Sequence, residues 1–171
     1  MIGCNEEDVS LTKPFQEAGD MNPDDPYDLN RFLNAQEGVY ERALAELEGG
    51  QKRTHWMWFM FPQIDGLGHS PTAKHYSIKS IEEARQYLNH PVLGKRLLEC
   101  TEAVAALKDG SLSEIFGYPD DLKFKSSMTL FEKIAGSGSV FSFALDRYCH
   151  GERDGTTLRL LEKPIFLESE N

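Results

Sequence analysis

Two tryptophans, two phenylalanines and two methionines lie between Thr54 and Gln63, in the segment THWMWFMFPQ. An exposed indole can stack on a planar ring, and a neighbouring imidazole or amide can hydrogen-bond the edge of that ring. Trp56 and Trp58 are therefore candidate ligand-binding residues, with His55 or Gln63 beside them. Because the segment is apolar on every face of a helix, a role in the core is the alternative interpretation.

The loop after this segment, residues 63–76, combines flexible backbone with hydrogen-bond donors. Gly66 and Gly68 precede Ser70-Pro71, a pair that favours the start of a short helix whose amides can face an anion. An ordinary surface loop is the alternative. The side chains that this loop offers to a ligand are Ser70, Lys74 and Tyr76.

A third polar group lies within a helical pattern over residues 121–129. Hydroxyls and lysines near the start of a helix suit a phosphate, although such hydroxyls often bond only to the preceding turn. The ligand-binding candidates in this stretch are Lys123, Ser126 and Ser127. Catalysis of a hydrolysis would need an acid, a base or a group that polarises water. The candidates for that role are His55, Asp121 and Glu41.

Several established catalytic patterns are absent from the sequence. It contains no Gly-x-Ser-x-Gly motif, and the neighbours Cys149 and His150 would point about 100° apart on a helix, so they cannot form a dyad. His69 and His75 stand without the further ligands that a metal needs, so we predict no metal and no cofactor. Whether the protein is an enzyme stays open at this point.

The formal net charge of −10 is concentrated before Arg31, where eight acidic residues face one lysine, a balance of −7. From Arg31 to Glu162 there are 18 acidic and 16 basic residues, so the body is close to neutral. The body offers no basic stripe for duplex nucleic acid, but it can hold a local pocket for a phosphate. Residues 1–25 are predicted to be a disordered acidic leader, through which a protein partner could bind.

The chain is predicted to be a soluble, cytoplasmic protein without membrane association. Its longest apolar run, Trp56–Phe61, is far too short to span a bilayer. The three cysteines are odd in number and form no Cys-x-x-Cys motif, which is typical of reduced thiols.

Apolar residues after the leader recur at three- and four-residue steps, the spacing of amphipathic helices. The pattern predicts a long first helix with Asp28 as its N-cap and Gly49-Gly50 as its stop, followed by a short helix capped by Thr54. Ser80-x-x-Glu83 has the pattern of a capping box at the start of another helix, and the last helix is predicted to start at Asp154.

No hairpin signal appears between these helical segments. We therefore predict an all-α fold, a single compact domain of about seven helices with orthogonal or superhelical packing. This domain is predicted to cover residues 26–162, with a flexible tail over residues 163–171.

Several long motifs within residues 25–162 carry a resemblance to a known family. In chain order they read DPYDLNRFLNAQEGVYERALAELEGG, HWMWFMFPQIDGLGHS, SIEEARQYLNHPVLGKRL and DDLKFKSSMTLFEKI. The chain resembles small all-helical proteins that are often labelled calpastatin in genomes and that form a family of unknown function. The resemblance implies an all-α fold and no established activity. The calpastatin label does not suit a compact helical domain, because an inhibitor of that kind is a disordered repeat protein.

A second likeness concerns the stretch HPVLGKRLLECTEAVAALKDGSLSEIFG, which is similar in order to the end of the NADAR family. Those proteins are N-glycosidases linked to NAD, ADP-ribose and a riboflavin-pathway intermediate. This chain has Lys74-His75-Tyr76 where that family has a glutamate before its His-Tyr, and it lacks the closing Gly-rich motif with asparagine. The likeness implies a ligand of the nucleotide or ADP-ribose class.

Two functions from different classes fit these observations. The first is a small-molecule binder or hydrolase for a nucleotide-like or ADP-ribose-like ligand, with Trp58, His55, Gln63 and Ser127 converging on a concave site. The second is a non-catalytic protein-interaction module whose aromatic segment is simply core. We favour the first, because the polar residues cluster beside the aromatic residues.

Overall fold

The computed structural model of the protein describes residues 22–163, which form ten α-helices. In chain order the helices are α1 (Asn30–Gln36), α2 (Tyr40–Glu48), α3 (Met57–Met60), α4 (Pro71–His75), α5 (Ile81–Asn89), α6 (Leu93–Ala105), α7 (Leu112–Phe116), α8 (Asp120–Ala135), α9 (Val140–Tyr148) and α10 (Gly155–Glu162). This range contains no strand, and Ile64 and Ile78 form an isolated parallel bridge. The predicted all-α class is confirmed, with ten helices rather than about seven.

The predicted first helix is broken in the middle. A turn separates α1 from α2, and in it Gly38 takes a φ of +71°, a conformation that glycine adopts at little cost. Asp28 is not the N-cap of α1, since its own φ is 50°. The carboxylate of Asp25 instead accepts hydrogen bonds from two N–H groups at the start of α1, at 2.8 and 3.0 Å. The prediction of one long helix capped by Asp28 is therefore wrong.

The predicted leader and tail lie largely outside the described residues. Of the leader only positions 22–25 are described, and of the tail only Lys163. The boundaries of both segments stay predictions. None of the helices within residues 22–163 has the length and apolar character needed to cross a membrane.

The other helix caps agree with the sequence at two ends and differ at one. The Ser80 hydroxyl accepts a hydrogen bond from the backbone N–H three residues later at 3.1 Å, and the Asp154 carboxylate does the same at 2.9 Å. The predicted capping box at Ser80 is only half formed, because the Glu83 carboxylate accepts from the backbone N–H of Lys79 rather than from that of Ser80. Thr54 does not cap α3, because its hydroxyl donates to the Glu46 carboxylate at 2.8 Å. That prediction is wrong, and α3 begins without a side-chain cap.

The core is centred on α8, which packs against α5, α7, α9 and α10. The ring of Phe124 stacks on Phe116 with 4.8 Å between centroids and meets Phe61 edge to face at 5.2 Å. Two turns further along, Phe131 packs against the ring of Tyr87 on α5 at 5.6 Å. Since Phe61 directly follows α3, these contacts fix the start of the next loop against α8.

A buried amide fixes α3 from the opposite side. Gln36 on α1 is 1% exposed, and its Nε2 donates to the Phe59 carbonyl at 2.8 Å and to the Tyr87 hydroxyl at 3.1 Å. The guanidinium of Arg96 donates to the Gln36 Oε1 at 3.3 Å, so both ends of the amide are satisfied. The short helix α3 is therefore held by α1 and α5 as well as by α8.

Candidate functional site

A small cleft with a cavity volume of about 40 Å³ opens between α3, α4 and the first turns of α8. We refer to it as the α3–α4 cleft. Its lining residues are Met57, Trp58, Phe61, Gln63, Ile64, Gly68, Ala73, Tyr76, Ser77 and Lys123. The wall is mostly apolar with a few polar groups, which is the usual composition of a small-molecule site.

The indole of Trp58 is half-buried in this wall and lies beneath a lysine. The Lys123 Nζ is 5.0 Å from the centroid of the Trp58 ring, a cation–π geometry. The same ammonium pairs with the Asp120 carboxylate at 3.2 Å, and Lys52 pairs with the other oxygen of that carboxylate at 2.9 Å. Two lysines therefore share one aspartate, which leaves this trio of side chains with one positive charge at the cleft.

Three polar groups of the lining are left for a ligand or solvent. The indole N–H of Trp58, the side-chain amide of Gln63 and the hydroxyl of Tyr76 make no hydrogen bond to any residue between 22 and 163. They differ from the indole of Trp56 and the hydroxyl of Tyr87, which bond inside the protein. Unpaired donors and acceptors around an apolar cleft are what a ligand with a polar edge requires.

Arg31 holds the segment that carries Tyr76. Its guanidinium donates to the carbonyls of His75 at 2.9 Å and Ser77 at 3.0 Å, on either side of Tyr76. The same side chain pairs with the buried carboxylate of Glu83 at 2.5 Å. The ring of Tyr76 also meets Phe59 edge to face at 5.4 Å between centroids. Tyr76 is thus fixed through its backbone and its ring, while its hydroxyl is left unpaired.

Ser77, Asp65 and Lys79 form a polar group behind the cleft wall. The buried Ser77 hydroxyl donates to the Asp65 carboxylate at 2.7 Å, and the Lys79 ammonium pairs with that carboxylate at 3.3 Å. The hydrogen bond from Ser77 and the charge of Lys79 hold the pKa of the Asp65 carboxyl below its ordinary value. The only signal in the sequence for this cluster is the proximity of polar residues to the glycine-containing loop, and Ser77 is not among the predicted site residues.

Gly68 allows the loop after α3 to pass directly against α4. A β-carbon at this position would lie 2.5 Å from the β-carbon of Ala73, a separation that two such atoms do not adopt. Both residues line the α3–α4 cleft. The absence of a side chain at position 68 therefore sets the width of the cleft.

Replacing Gly68 with alanine is expected to push α4 away and reshape the cleft. Removing the opposing methyl in a Gly68→Ala/Ala73→Gly double variant should restore the contact. The measurement is the NMR resonance of the Trp58 indole N–H, which should move in the single variant and return in the double variant. Stability is a poor readout here, since glycine at position 73 itself costs about 1 kcal/mol in a helix. If the Trp58 indole resonance has the same chemical shift in Gly68→Ala as in the wild type, the contact between positions 68 and 73 does not set the width of the cleft.

Trp56 is not among the residues that line the α3–α4 cleft. Its side chain is 0% exposed, and its indole N–H donates to the Glu46 carboxylate at 2.7 Å. Although burial alone would raise the pKa of Glu46, this bond and those from Thr54 and Arg53 lower it. Trp56 is therefore placed as a core residue, whereas Trp58 is placed in the lining of the cleft.

The remaining predicted binding residues lie away from the cleft lining. Ser70 caps α4 by accepting from the Ala73 N–H at 3.1 Å, and Lys74 is exposed on the side of α4 that faces Arg31. Ser126 donates to the carbonyl of the preceding turn at 3.0 Å. Ser127 is 0% exposed, and its hydroxyl has no partner among the described residues.

The three predicted catalytic residues are not in the cleft lining. His55 is exposed just before α3, and Glu41 is exposed in the first turn of α2. The carboxylate of Asp121 accepts a hydrogen bond from the backbone N–H of the next residue at 2.9 Å, within α8. The structure therefore brings together Trp58, Gln63, Tyr76 and Lys123 of the predicted site, and places these three elsewhere.

The thiols are poorly suited to nucleophilic chemistry. Burial raises the pKa of the Cys100 thiol to about 12 and also raises that of Cys149. Both therefore stay protonated at neutral pH. Cys4 lies outside the described residues. Within residues 22–163 no three histidine, cysteine, aspartate or glutamate side chains are grouped as metal ligands would be.

The fold and the cleft define a small all-α domain with a mostly apolar cleft next to an aromatic helix only four residues long. The chain belongs to the family described as protein of unknown function (DUF1810), whose family model matches residues 26–161. It is similar to the conserved hypothetical protein Rv1873 from Mycobacterium tuberculosis, known from a crystal structure at 1.38 Å. The two chains share 50% identity with a TM-score of 0.80, over 82% of this chain and 100% of the other. No curated protein matches the sequence.

Proposed function

We propose that the α3–α4 cleft binds a small molecule with a planar heteroaromatic ring and an anionic group, a nucleotide-like or ADP-ribose-like compound. The observation that carries the proposal is the convergence of Trp58, Gln63 and Tyr76, each with an unpaired polar group, on one apolar cleft. An aromatic wall favours a flat ring, and the unpaired groups can bond its edge.

The charge of the cleft supports an anion as the second part of the ligand. Lys123 shares Asp120 with Lys52, so one positive charge is left at the cleft. An ammonium with free N–H groups binds a phosphate as a point charge. A phosphate at Lys123 would lie close to a ring packed against Trp58, because the Lys123 Nζ is 5.0 Å from the centroid of the Trp58 ring.

Binding, rather than hydrolysis, is the activity that this geometry supports. No carboxylate or imidazole is among the residues that line the cleft. The lining offers the phenol of Tyr76 and the ammonium of Lys123, neither of which is a residue type that commonly serves as the base of a hydrolysis. Three cysteines without a Cys-x-x-Cys motif support a cytoplasmic location, which suits a nucleotide-like ligand.

A thermal-shift titration with AMP, NAD and ADP-ribose tests the proposal. A ligand at about 100 times its Kd should stabilise the protein by about 2.7 kcal/mol, a rise in melting temperature of several degrees. Trp58→Ala should abolish the rise, because it removes the aromatic wall. Phe143→Ala is the matched control, since Phe143 is an aromatic residue 55% exposed on α9 and outside the cleft.

The anionic part is tested separately. Lys123→Gln should weaken AMP binding at least tenfold and leave adenosine binding little changed, because adenosine lacks the phosphate. A thermal shift that persists in Trp58→Ala, or the absence of a shift with every compound, contradicts the proposed site.

A further inference from the structure

Lys52 is a buried lysine that lies outside the α3–α4 cleft but is joined to it through Asp120. It lies in the segment between α2 and α3, and its side chain is 7% exposed. Its backbone N–H donates to the Ile115 carbonyl at 2.7 Å, and its Nζ lies 5.1 Å from the centroid of the Trp56 ring. Lys52 is thus held at its backbone and at its side chain, and it can act on the cleft only through another residue.

The two oxygens of the Asp120 carboxylate are divided between two lysines of different burial. Oδ2 pairs with the Lys52 Nζ at 2.9 Å, and Oδ1 pairs with the Lys123 Nζ at 3.2 Å. Within residues 22–163, Asp120 is the only carboxylate at ion-pair distance from either lysine. A buried ammonium cannot lose its counter-charge without a large penalty. Lys123 is 26% exposed, so it can leave the carboxylate more easily than Lys52.

An anion that binds Lys123 must compete with Asp120 for the ammonium. The Asp120 side chain is only 20% exposed. If Asp120 had no second partner, the exchange would leave a largely buried carboxylate without a counter-charge, which is unfavourable. Lys52 prevents this, because it stays paired with the other oxygen of the same carboxylate. The ammonium of Lys123 can then be transferred from Asp120 to a ligand while Asp120 stays neutralised.

We propose that Lys52 is a positioning residue that frees Lys123 for an anionic ligand at the face of Trp58. Lys52 neutralises Asp120, so the ammonium 5.0 Å from the centroid of the Trp58 ring keeps its charge available. The inference rests on the proposed function, because it assigns the origin of the preference of that site for an anionic over a neutral ligand. The positive charge at Trp58 belongs to the protein itself and can be measured without AMP.

Quenching of tryptophan fluorescence by small ions measures this charge. The chain has two tryptophans, and Trp56 is 0% exposed, so iodide and caesium in solution report on Trp58. At constant total salt, Lys52→Met should lower the iodide quenching constant about twofold and raise that of caesium, as expected for the loss of one screened unit charge. Quenching by neutral acrylamide should not change. Lys52→Arg keeps the charge and should behave as the wild type.

Two further variants make the quenching test decisive. Lys95→Met is the matched control and should change no quenching constant, because Lys95 pairs with Glu99 on α6, is 73% exposed and lies outside the cleft lining. Lys52→Gln removes the charge but keeps a hydrogen-bond donor for Asp120, and it replaces Lys52→Met if that variant does not fold. Unchanged iodide quenching in a folded neutral variant overturns the proposal. So does a change of the same sign with all three quenchers, which indicates an altered structure rather than an altered charge.

AMP affinity provides the second readout and separates the two proposals. Lys52→Met should bind AMP roughly threefold more weakly than the wild type and adenosine equally well, and Lys52→Arg should restore AMP binding. Equal AMP affinity in Lys52→Met and wild type overturns the role of Lys52 and leaves the ligand site standing. The expected iodide and caesium changes, together with no AMP binding in any variant, support the role of Lys52 in the charge at Trp58 and contradict the proposed function.

Discussion

Replacing Gly94 with alanine is expected to lower the free energy of unfolding by roughly 3 kcal/mol. Gly94 lies in the first turn of α6, where a β-carbon would be 1.9 Å from the Leu88 carbonyl oxygen and 2.8 Å from its carbon. These are backbone atoms of α5, so no side-chain rotation can relieve the overlap. The two helices would have to move apart, and both of them border the buried core.

Thermal or urea unfolding measures this loss, which corresponds to a fall in melting temperature of roughly 6–12 °C. Gly155→Ala is the matched control, since a β-carbon at Gly155 meets no atom within 4 Å and the residue has no positive φ. It should leave the stability unchanged within about 0.5 kcal/mol. Similar losses in both variants would show that the approach of α6 to α5 is not what requires glycine.

Replacing Glu83 with alanine is expected to cost about 3–5 kcal/mol, because it leaves a buried guanidinium without its counter-charge. The side chains of Arg31 and Glu83 are 9% and 2% exposed. The second oxygen of Glu83 accepts the backbone N–H of Lys79 at 2.5 Å, and that bond would be lost as well. Urea unfolding with a fixed m-value measures the difference.

The neighbouring residue provides the control. Glu82 lies in the same first turn of α5 and also pairs with an arginine, Arg85, but these two side chains are 44% and 47% exposed. An exposed pair is worth about 0–1 kcal/mol, so Glu82→Ala should have a small effect. Equal costs for the two variants would mean that the buried pair contributes no more than the exposed one.

The all-α class, and the order of most helices along the chain, can be predicted from interactions between residues that are close in sequence. Apolar spacing, the Ser80 and Asp154 caps and the glycines at helix ends act within a few residues, so the sequence displays them directly. The break at Gly38 is different, because apolar residues continue at helical spacing across it. Only the φ of +71° reveals the turn, and tertiary packing selects that conformation.

The residue types of the candidate site could be predicted from the sequence, but which of those residues line the cleft could not. Trp56 and Trp58 are two positions apart and look equivalent in sequence, yet one is buried and the other lines a cleft. The difference depends on Glu46, ten residues away, whose carboxylate accepts the Trp56 indole N–H. Ser77 and Ala73 carry no recognisable motif, so their place in the wall depends on the packing of α4 against the Gly68 loop.

The attachment of Tyr76 has a consequence for how fast and how tightly the proposed ligand of the α3–α4 cleft would bind. Arg31 lies on α1, a helix that contributes no residue to the lining of the cleft. Its guanidinium donates hydrogen bonds to the peptide carbonyls on both sides of Tyr76. That wall is therefore pre-organised, and the proposed ligand would lose little conformational entropy in ordering it. Substitutions around Arg31 should consequently act on the dissociation rate at a distance, through the rigidity of a wall that they do not touch.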